Sequence, residues 1–192
     1  YSSNPDFTLN PYTGGDTYDA TAATVTVQFR DAVGNETSAV SDSIILDPNV
    51  YVDSTAADDT ATGHADDPFK TLGSALTEAE SVGTGIQLRL LDNGAGSPYS
   101  LGSVGMEVST DISILGGYGT GYTTRNASGN NTLVTANANY TLRYTAGTAS
   151  TLIDGITLEN AKSSSAGTFS VIEVSGASPT IQNVTVTFTG EG

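Results

Sequence analysis

The chain contains no cysteine, no tryptophan and one methionine in 192 residues. Without cysteine, disulfide staples and thiolate chemistry are excluded. Basic residues are nearly as scarce: six Lys and Arg stand against 21 Asp and Glu, a formal net charge of −15. Phosphate neutralisation needs clustered cations, so neither a nucleic acid nor an anionic membrane is an expected partner. The one histidine, His64, has no second His or Cys to join it on zinc. No apolar run approaches the roughly 20 residues of a membrane span, so no span is expected. The residues after Tyr1 lack the basic and apolar regions of a signal peptide.

What is present points to strands. Glycine is abundant at 22 residues, and Thr, Ser, Ala and Asn punctuate short β-branched runs, the composition of an all-β chain with many tight turns. The organising feature is a match between Thr151 to Leu158 and Pro179 to Val186, 28 residues apart. With Ile153 set on Ile181, Ile156 and Leu158 fall on Val184 and Val186, Thr157 falls on Thr185, and the turn formers Asp154 and Gly155 fall on Gln182 and Asn183. A repeat of this length with one or two strand-like runs predicts a solenoid of stacked strands. Its outward positions are expected to be Asp154, Thr157, Gln182 and Thr185, forming a polar face.

Taken in order, residues 1–23 are polar and broken by Pro5, Pro11, Gly14 and Gly15, with Phe7, Leu9, Tyr12 and Tyr18 as the available anchors. Alternation at Val25, Val27 and Phe29, a turn around Gly34 and Asn35, and a return run at Ile44 to Leu46 predict a hairpin of strands 24–30 and 39–46. Asp47 to Asn49 is the linker, because Pro48 removes a ladder donor and extends the residue before it. From Thr71, apolar residues at Leu72, Ala75, Leu76, Ala79 and Val82 keep helical spacing and Gly83 ends them, which predicts a helix over about 71–82. Further strands are predicted at 50–53, 86–91, 106–108, 112–115, 133–134, 142–144, 152–158, 171–174 and 181–188. Both ends read as cuts within a longer polypeptide.

Two resemblances follow from quoted residues. The stretch TVTVQFRDAVGNETSAVSDSIILD resembles the last two strands of a bacterial immunoglobulin-like module, so residues 1–47 are expected to be a partial Ig-like unit. The succession YVD, DDPFKTLGSAL, IQLRLLDNGAGSPYSL and ISILGGYGTGYTTRN resembles the entry of the pectate-lyase-like superfamily of right-handed parallel β-helix proteins. This resemblance implies that residues 48–192 form N-terminal coils of such a solenoid with the short helix covering its first coil. It also implies a secreted or cell-surface bacterial protein.

Candidate sites are few. Asp53, Asp58, Asp59, Asp66 and Asp67 form an acidic loop that either supplies oxygens to Ca2+ or is a solvated turn before Pro68. Tyr118, Tyr122 and Arg125 either present an aromatic platform to sugar or cover a corner made by Gly116 and Gly117. Asp154, Glu159 and Glu173 are the acids of the later coils and lack the paired-carboxylate motifs of the superfamily's polygalacturonase branch. No catalytic residue or cofactor other than Ca2+ is therefore assigned. The expected function is non-catalytic, an adhesin, stalk or glycan-binding surface that meets a polysaccharide or a host or cell-surface glycoprotein. The alternative is the first part of a polysaccharide lyase or glycoside hydrolase whose active site lies on later coils.

Overall fold

The structure is a computed structural model that describes residues 23–28, 30, 33–44, 47–94, 96–129, 132–162 and 169–190. The expected anchors Phe7, Leu9, Tyr12 and Tyr18, together with Phe29, Ile45 and Leu46, lie outside the described residues. The chain divides into two units, Tyr1–Asp47 and Pro48–Gly192.

In the first unit, β1 (Ala23–Val27) pairs antiparallel with β2 (Val40–Ile44), from Ala23 opposite Ile44 to Val27 opposite Val40. Strand β1 ends before Gln28, and β2 begins at Val40, one residue after the predicted start. Beyond Val27 the ladder gives way to an isolated bridge between Arg30 and Glu36, and the exposed Gln28 side chain donates to Glu36 and to the Thr37 carbonyl. Gly34 adopts φ 94°, a left-handed turn conformation that glycine takes without steric cost.

The second unit is mostly strands with one helix. Its elements are β3 (Asn49–Val52), α1 (Leu72–Val82), β4 (Ile86–Leu91), β5 (Tyr99–Ser100), β6 (Met106–Val108), β7 (Ile112–Tyr118), β8 (Leu133–Ala136), β9 (Tyr140–Tyr144), β10 (Leu152–Asn160), β11 (Ser170–Val174) and β12 (Thr180–Phe188). Every strand pairing within these is parallel. One sheet runs β3-β4-β7-β10-β8-β5, with β12 also on β10, and a second runs β11-β9-β6. The first sheet curls because β10 turns a corner at Gly155, φ 72°. Residues before the corner pair with β7 and residues after it with β8, while β12 follows β10 on both sides of the corner.

Registers align apolar residues into rows. Val50, Leu88, Ile114, Ile153 and Ile181 are successive cross-strand partners, and Tyr99, Val134, Leu158 and Val186 form a second row. Val108, Tyr144 and Val174 form a third on the smaller sheet. All members of these rows except Ile181, Val186 and Val174 are buried and form one core with the buried face of α1, and fully burying an aliphatic side chain of this kind contributes roughly 1.5–3 kcal/mol. The pairing of Ile153 with Ile181, Ile156 with Val184, Thr157 with Thr185 and Leu158 with Val186 is the alignment that the 28-residue repeat predicts.

Helix α1 matches its predicted span. Its N-cap Thr71 accepts from the Ser74 backbone N–H, and Gly83 at φ 128° closes the last turn by donating to the Ala79 carbonyl. Leu72, Ala75, Leu76 and Ala79 are buried. Two expectations are corrected. Asp154 is not outward: it is 2 % exposed, because the loop after β7 folds over it. Strand β5 is absent from the sequence reading, since Pro98 and two glycines disguise a two-residue strand held by the Tyr99 hydroxyl, which lies 2.9 Å from the Val52 carbonyl and 2.8 Å from that of Leu91.

Candidate functional site

The acidic loop is shaped by its threonines. In Asp53-Ser-Thr55 the Asp53 Oδ1 accepts from the Thr55 backbone N–H at 2.8 Å and its hydroxyl at 2.7 Å. Asp58-Asp-Thr60 repeats this at 2.9 and 2.6 Å. Asp67 Oδ2 accepts from the N–H and hydroxyl of Thr62, and Asp59 accepts from those of Thr71. Four of the five candidate aspartates therefore each hold one threonine by two bonds; at Asp53 and Asp58 the partner is two residues on, an Asx-type local closure that competes well in turns, whereas Asp67 and Asp59 reach across the loop. The Thr60 hydroxyl, then its N–H, lowers the Asp58 pKa from the ordinary carboxylate value. Asp53 also receives the Asn93 amide at 2.8 Å, linking this loop to the one after β4.

Asp53, Asp58, Asp66 and Asp67 line one open cavity of about 240 Å³, together with Ala56, Ala57, Ala61 and Pro68. Asp59 stands apart at the helix start. Among the described residues, no three carboxylate or imidazole groups are placed to share one metal ion.

The second candidate cluster assembles differently from an exposed platform. Tyr118 and Tyr122 are 7 % and 8 % exposed, the burial that goes with covering the corner at Gly116 and Gly117 rather than with an open platform. The physical reason is that the segment after β7 folds back: a short 3-10 turn, Thr120–Tyr122, brings the Tyr122 ring within 4.7 Å of Tyr51 and 6.1 Å of Tyr118. Tyr122 takes φ 56°, uncommon for a bulky residue, and its hydroxyl is buried without a hydrogen-bond partner. Burial first, then the Asp53 charge, raises the Tyr122 pKa above the ordinary phenol value. The guanidiniums of Arg89 and Arg125 both sit 5.4 Å from the Tyr118 ring, within cation–π range.

Arg125 explains why this lid stays down. Its Nε donates to the Gly116 carbonyl at 2.9 Å, and its Nη2 reaches Asp154 Oδ2 at 2.7 Å and the Asp154 carbonyl at 3.1 Å. Asn183 Nδ2 donates to the other carboxylate oxygen of Asp154 at 2.7 Å. Burial works to raise the Asp154 pKa, but the Asn183 amide and the Arg125 guanidinium outweigh it and hold the carboxyl below its ordinary range. Gly116 is required here because a Cβ would lie 2.4 Å from the Gly155 carbonyl oxygen. Asp154 is thus a structural anion beneath a lid, with both oxygens engaged.

Sequence reasoning missed a third arrangement on the smaller sheet. Glu107, Arg143 and Glu173 are successive cross-strand neighbours on β6, β9 and β11. Arg143 bridges both carboxylates, at 3.3 Å to Glu107 and 3.0 Å to Glu173, and lies 4.1 Å from the Tyr140 ring centre. The Glu173 hydrogen bond is the main cause of a raised Arg143 pKa. The 30-residue spacing of Arg143 and Glu173 could have signalled it, since it is close to the 28-residue repeat. This row is a partly exposed face with one net negative charge and an aromatic ring beside it.

No family model, curated protein or solved structure matches the chain. Among the described residues, no helix is long and apolar enough to cross a membrane.

Proposed function

We propose that this chain is a length of right-handed parallel β-helix from a bacterial secreted or cell-surface protein, preceded by the closing hairpin of an immunoglobulin-like module. Its role is a rigid, non-catalytic scaffold, an adhesin or stalk that presents its outer faces to a polysaccharide or a cell-surface glycoprotein. The observation that carries this reading is the unbroken parallel row from Val50 through Leu88, Ile114 and Ile153 to Ile181. Stacking of this kind makes a stiff, quasi-one-dimensional body whose function resides on its faces and loops.

The disposition of the acids supports display over catalysis. Asp154 is held by Arg125 and Asn183, and Glu107 and Glu173 flank the shared Arg143, so these carboxylates are committed to partners within the fold. A general acid or base needs a proton-transfer position toward substrate, which such pairing opposes. With Tyr118 and Tyr122 buried, the face favoured for sugar contact is the row of Glu107, Tyr140, Arg143 and Glu173, where a partly exposed ring lies beside hydrogen-bonding groups.

The test is a glycan array probed with the labelled chain, run beside assays on polygalacturonate, alginate and pectin that follow the ultraviolet absorbance of unsaturated products. Retention of a glycan class without turnover, weakened by Tyr140→Ala, is the expected result. Product formation, abolished by changing one of these acids, would replace the scaffold reading with an enzyme.

A further inference from the structure

The loop of residues 119–124 is held to the rest of the unit by one side chain. It leaves β7 after Tyr118 and returns at Arg125, where those two residues form an isolated bridge. Among the described residues, its hydrogen bonds stay inside the loop: the Gly119 N–H donates to the Thr124 carbonyl at 3.0 Å, and the Tyr122 N–H donates to the Gly119 carbonyl at 2.9 Å. Thr120, Gly121, Thr123 and Thr124 are exposed, and Tyr122 alone turns inward. The Tyr122 ring therefore fastens the loop, through Tyr51 at 4.7 Å and Tyr118 at 6.1 Å.

That fastening is costly twice over, since Tyr122 takes φ 56° and buries a hydroxyl that makes no hydrogen bond. Backbone strain of this kind gathers at ligand clamps and switches. Beside the same two rings lies Arg89, its guanidinium carbon 5.8 Å from the centre of Tyr51 and 5.4 Å from that of Tyr118. Its Nη2 donates to Gln87 Oε1 at 3.3 Å, and its Nε is buried without a hydrogen-bond partner. Arg30, Arg125 and Arg143 each meet a carboxylate, whereas Arg89, among the described residues of a chain with 21 acids, does not. Two donors around one pair of rings thus lack an acceptor, and a buried polar group without a partner calls for a water or a ligand.

We infer that Tyr122 is a built-in occupant of a ligand site, and that the place it fills beside Tyr51, Tyr118 and Arg89 takes the ring and carboxylate of a small aromatic acid. Tyr122 supplies the ring and leaves Arg89 Nε without an acceptor. An aromatic carboxylate supplies both, with its ring edge-on or tilted against the two tyrosines as Tyr122 is now, and its oxygens on the planar guanidinium. The Asp53 charge is felt at the Tyr122 hydroxyl, so a second anionic group at that end is disfavoured. As the ligand enters, Tyr122 swings out with its loop, gains water for its hydroxyl and is freed from its strained backbone conformation. Binding and lid opening are then one event. The site is separate from the face of Glu107, Arg143 and Glu173 and does not depend on that face meeting a sugar.

Benzoate is the probe, with benzyl alcohol as the ring without charge and glucuronate as a ring acid without aromaticity. Equilibrium dialysis against the full chain is expected to show saturable benzoate retention in the millimolar range, with both controls weaker by about tenfold or more. Arg89→Gln should weaken benzoate by a similar factor. Tyr122→Gly should tighten it about tenfold, because glycine accepts the positive φ and no ring competes for the site. In the unaltered chain, benzoate should raise nitration of Tyr122 by tetranitromethane and lower that of Tyr118, read by peptide mass spectrometry. This last measurement needs no variant to fold. Four results would overturn the inference: no retention by either the unaltered chain or Tyr122→Gly, retention unchanged by Arg89→Gln, glucuronate bound as tightly as benzoate, or Tyr122 shielded from nitration by benzoate, which would make its ring a wall of the site.

Discussion

Strands β10 and β12 carry one pattern in one register and end in opposite environments. Ile153 is fully buried and Leu158 is 1 % exposed, while their partners Ile181 and Val186 are 43 % and 55 % exposed. The residue types are nearly interchangeable, so the difference lies in the neighbours: β10 has β7 and β8 beyond it and β12 on its other side. A strand in a parallel stack is stabilised by the layers above and below, and among the described residues β12 has only one such layer, β10. Apolar pattern reports what a strand can bury, and position in the stack decides what it does bury.

The widest break in this comparison comes from paired truncations. Leu158→Ala empties a fully enclosed site and should cost about 2–5 kcal/mol of unfolding free energy. Val186→Ala removes a half-exposed side chain and should stay within about 0.5 kcal/mol. Urea unfolding of both variants under identical conditions measures the two values. Equal losses would mean that β12 is covered in solution.

A smaller effect is expected at the corner, where Asp154 of β10 meets Asn183 of β12. Arg125→Met leaves the buried Asp154 carboxylate without its cation. Removing one partner of a fully buried pair costs more, but Arg125 is 26 % exposed, so about 1–3 kcal/mol at neutral pH is the expected loss. The sign of its pH dependence follows from the lowered Asp154 pKa. A depressed folded-state pKa contributes stability that is present above the unfolded carboxylate value, about 4, and is lost as pH falls through the folded value. The wild type should therefore exceed the variant most near pH 7, and the gap should close in acid as Asp154 protonates. A gap that is unchanged from pH 7 to pH 3 would show that Arg125 acts by packing over Tyr118 rather than by charge.

The contrast also explains how far the sequence could be read. Along the row from Val50 to Leu88, Ile114, Ile153 and Ile181, the chain advances 38, 26, 39 and 28 residues. Loops of different length between layers hide the repeat until the last step, where β10 and β12 share both halves and a corner. There the register was legible because apolar spacing and turn formers had to match together. Helix α1 was legible for a similar reason, since apolar spacing, an N-cap and a closing glycine agree on one span. The choice between platform and corner cover for Tyr118 and Tyr122 was not, because it depends on Arg125 reaching Asp154, 29 residues away and on another layer. The roles of Asp53, Asp58, Asp59 and Asp67 were hidden in part by counting charge; the Asp-x-Thr spacing at Asp53 and Asp58 was the better signal.

The smallest expected effect concerns α1, whose buried face shares the core with β3 and so sharpens the contrast with the exposed face of β12. Thr71 ties three segments: its hydroxyl accepts from the Ser74 N–H at 3.3 Å and donates to Asp59 Oδ2 at 2.9 Å, and its own N–H donates to Asp59 Oδ1 at 2.8 Å. Thr71→Ala removes the cap and one of the two Asp59 bonds while keeping the backbone bond. Loss of an N-cap hydroxyl costs about 1 kcal/mol, and Thr71→Ser should recover most of it because the hydroxyl returns. Thermal unfolding of the three proteins gives these differences. A loss near 1 kcal/mol, restored by serine, means that the cap acts locally on α1. A loss several times larger, with faster hydrogen exchange through β3 and β4, would mean that α1 detaches as a unit and that β3 depends on it as a cover.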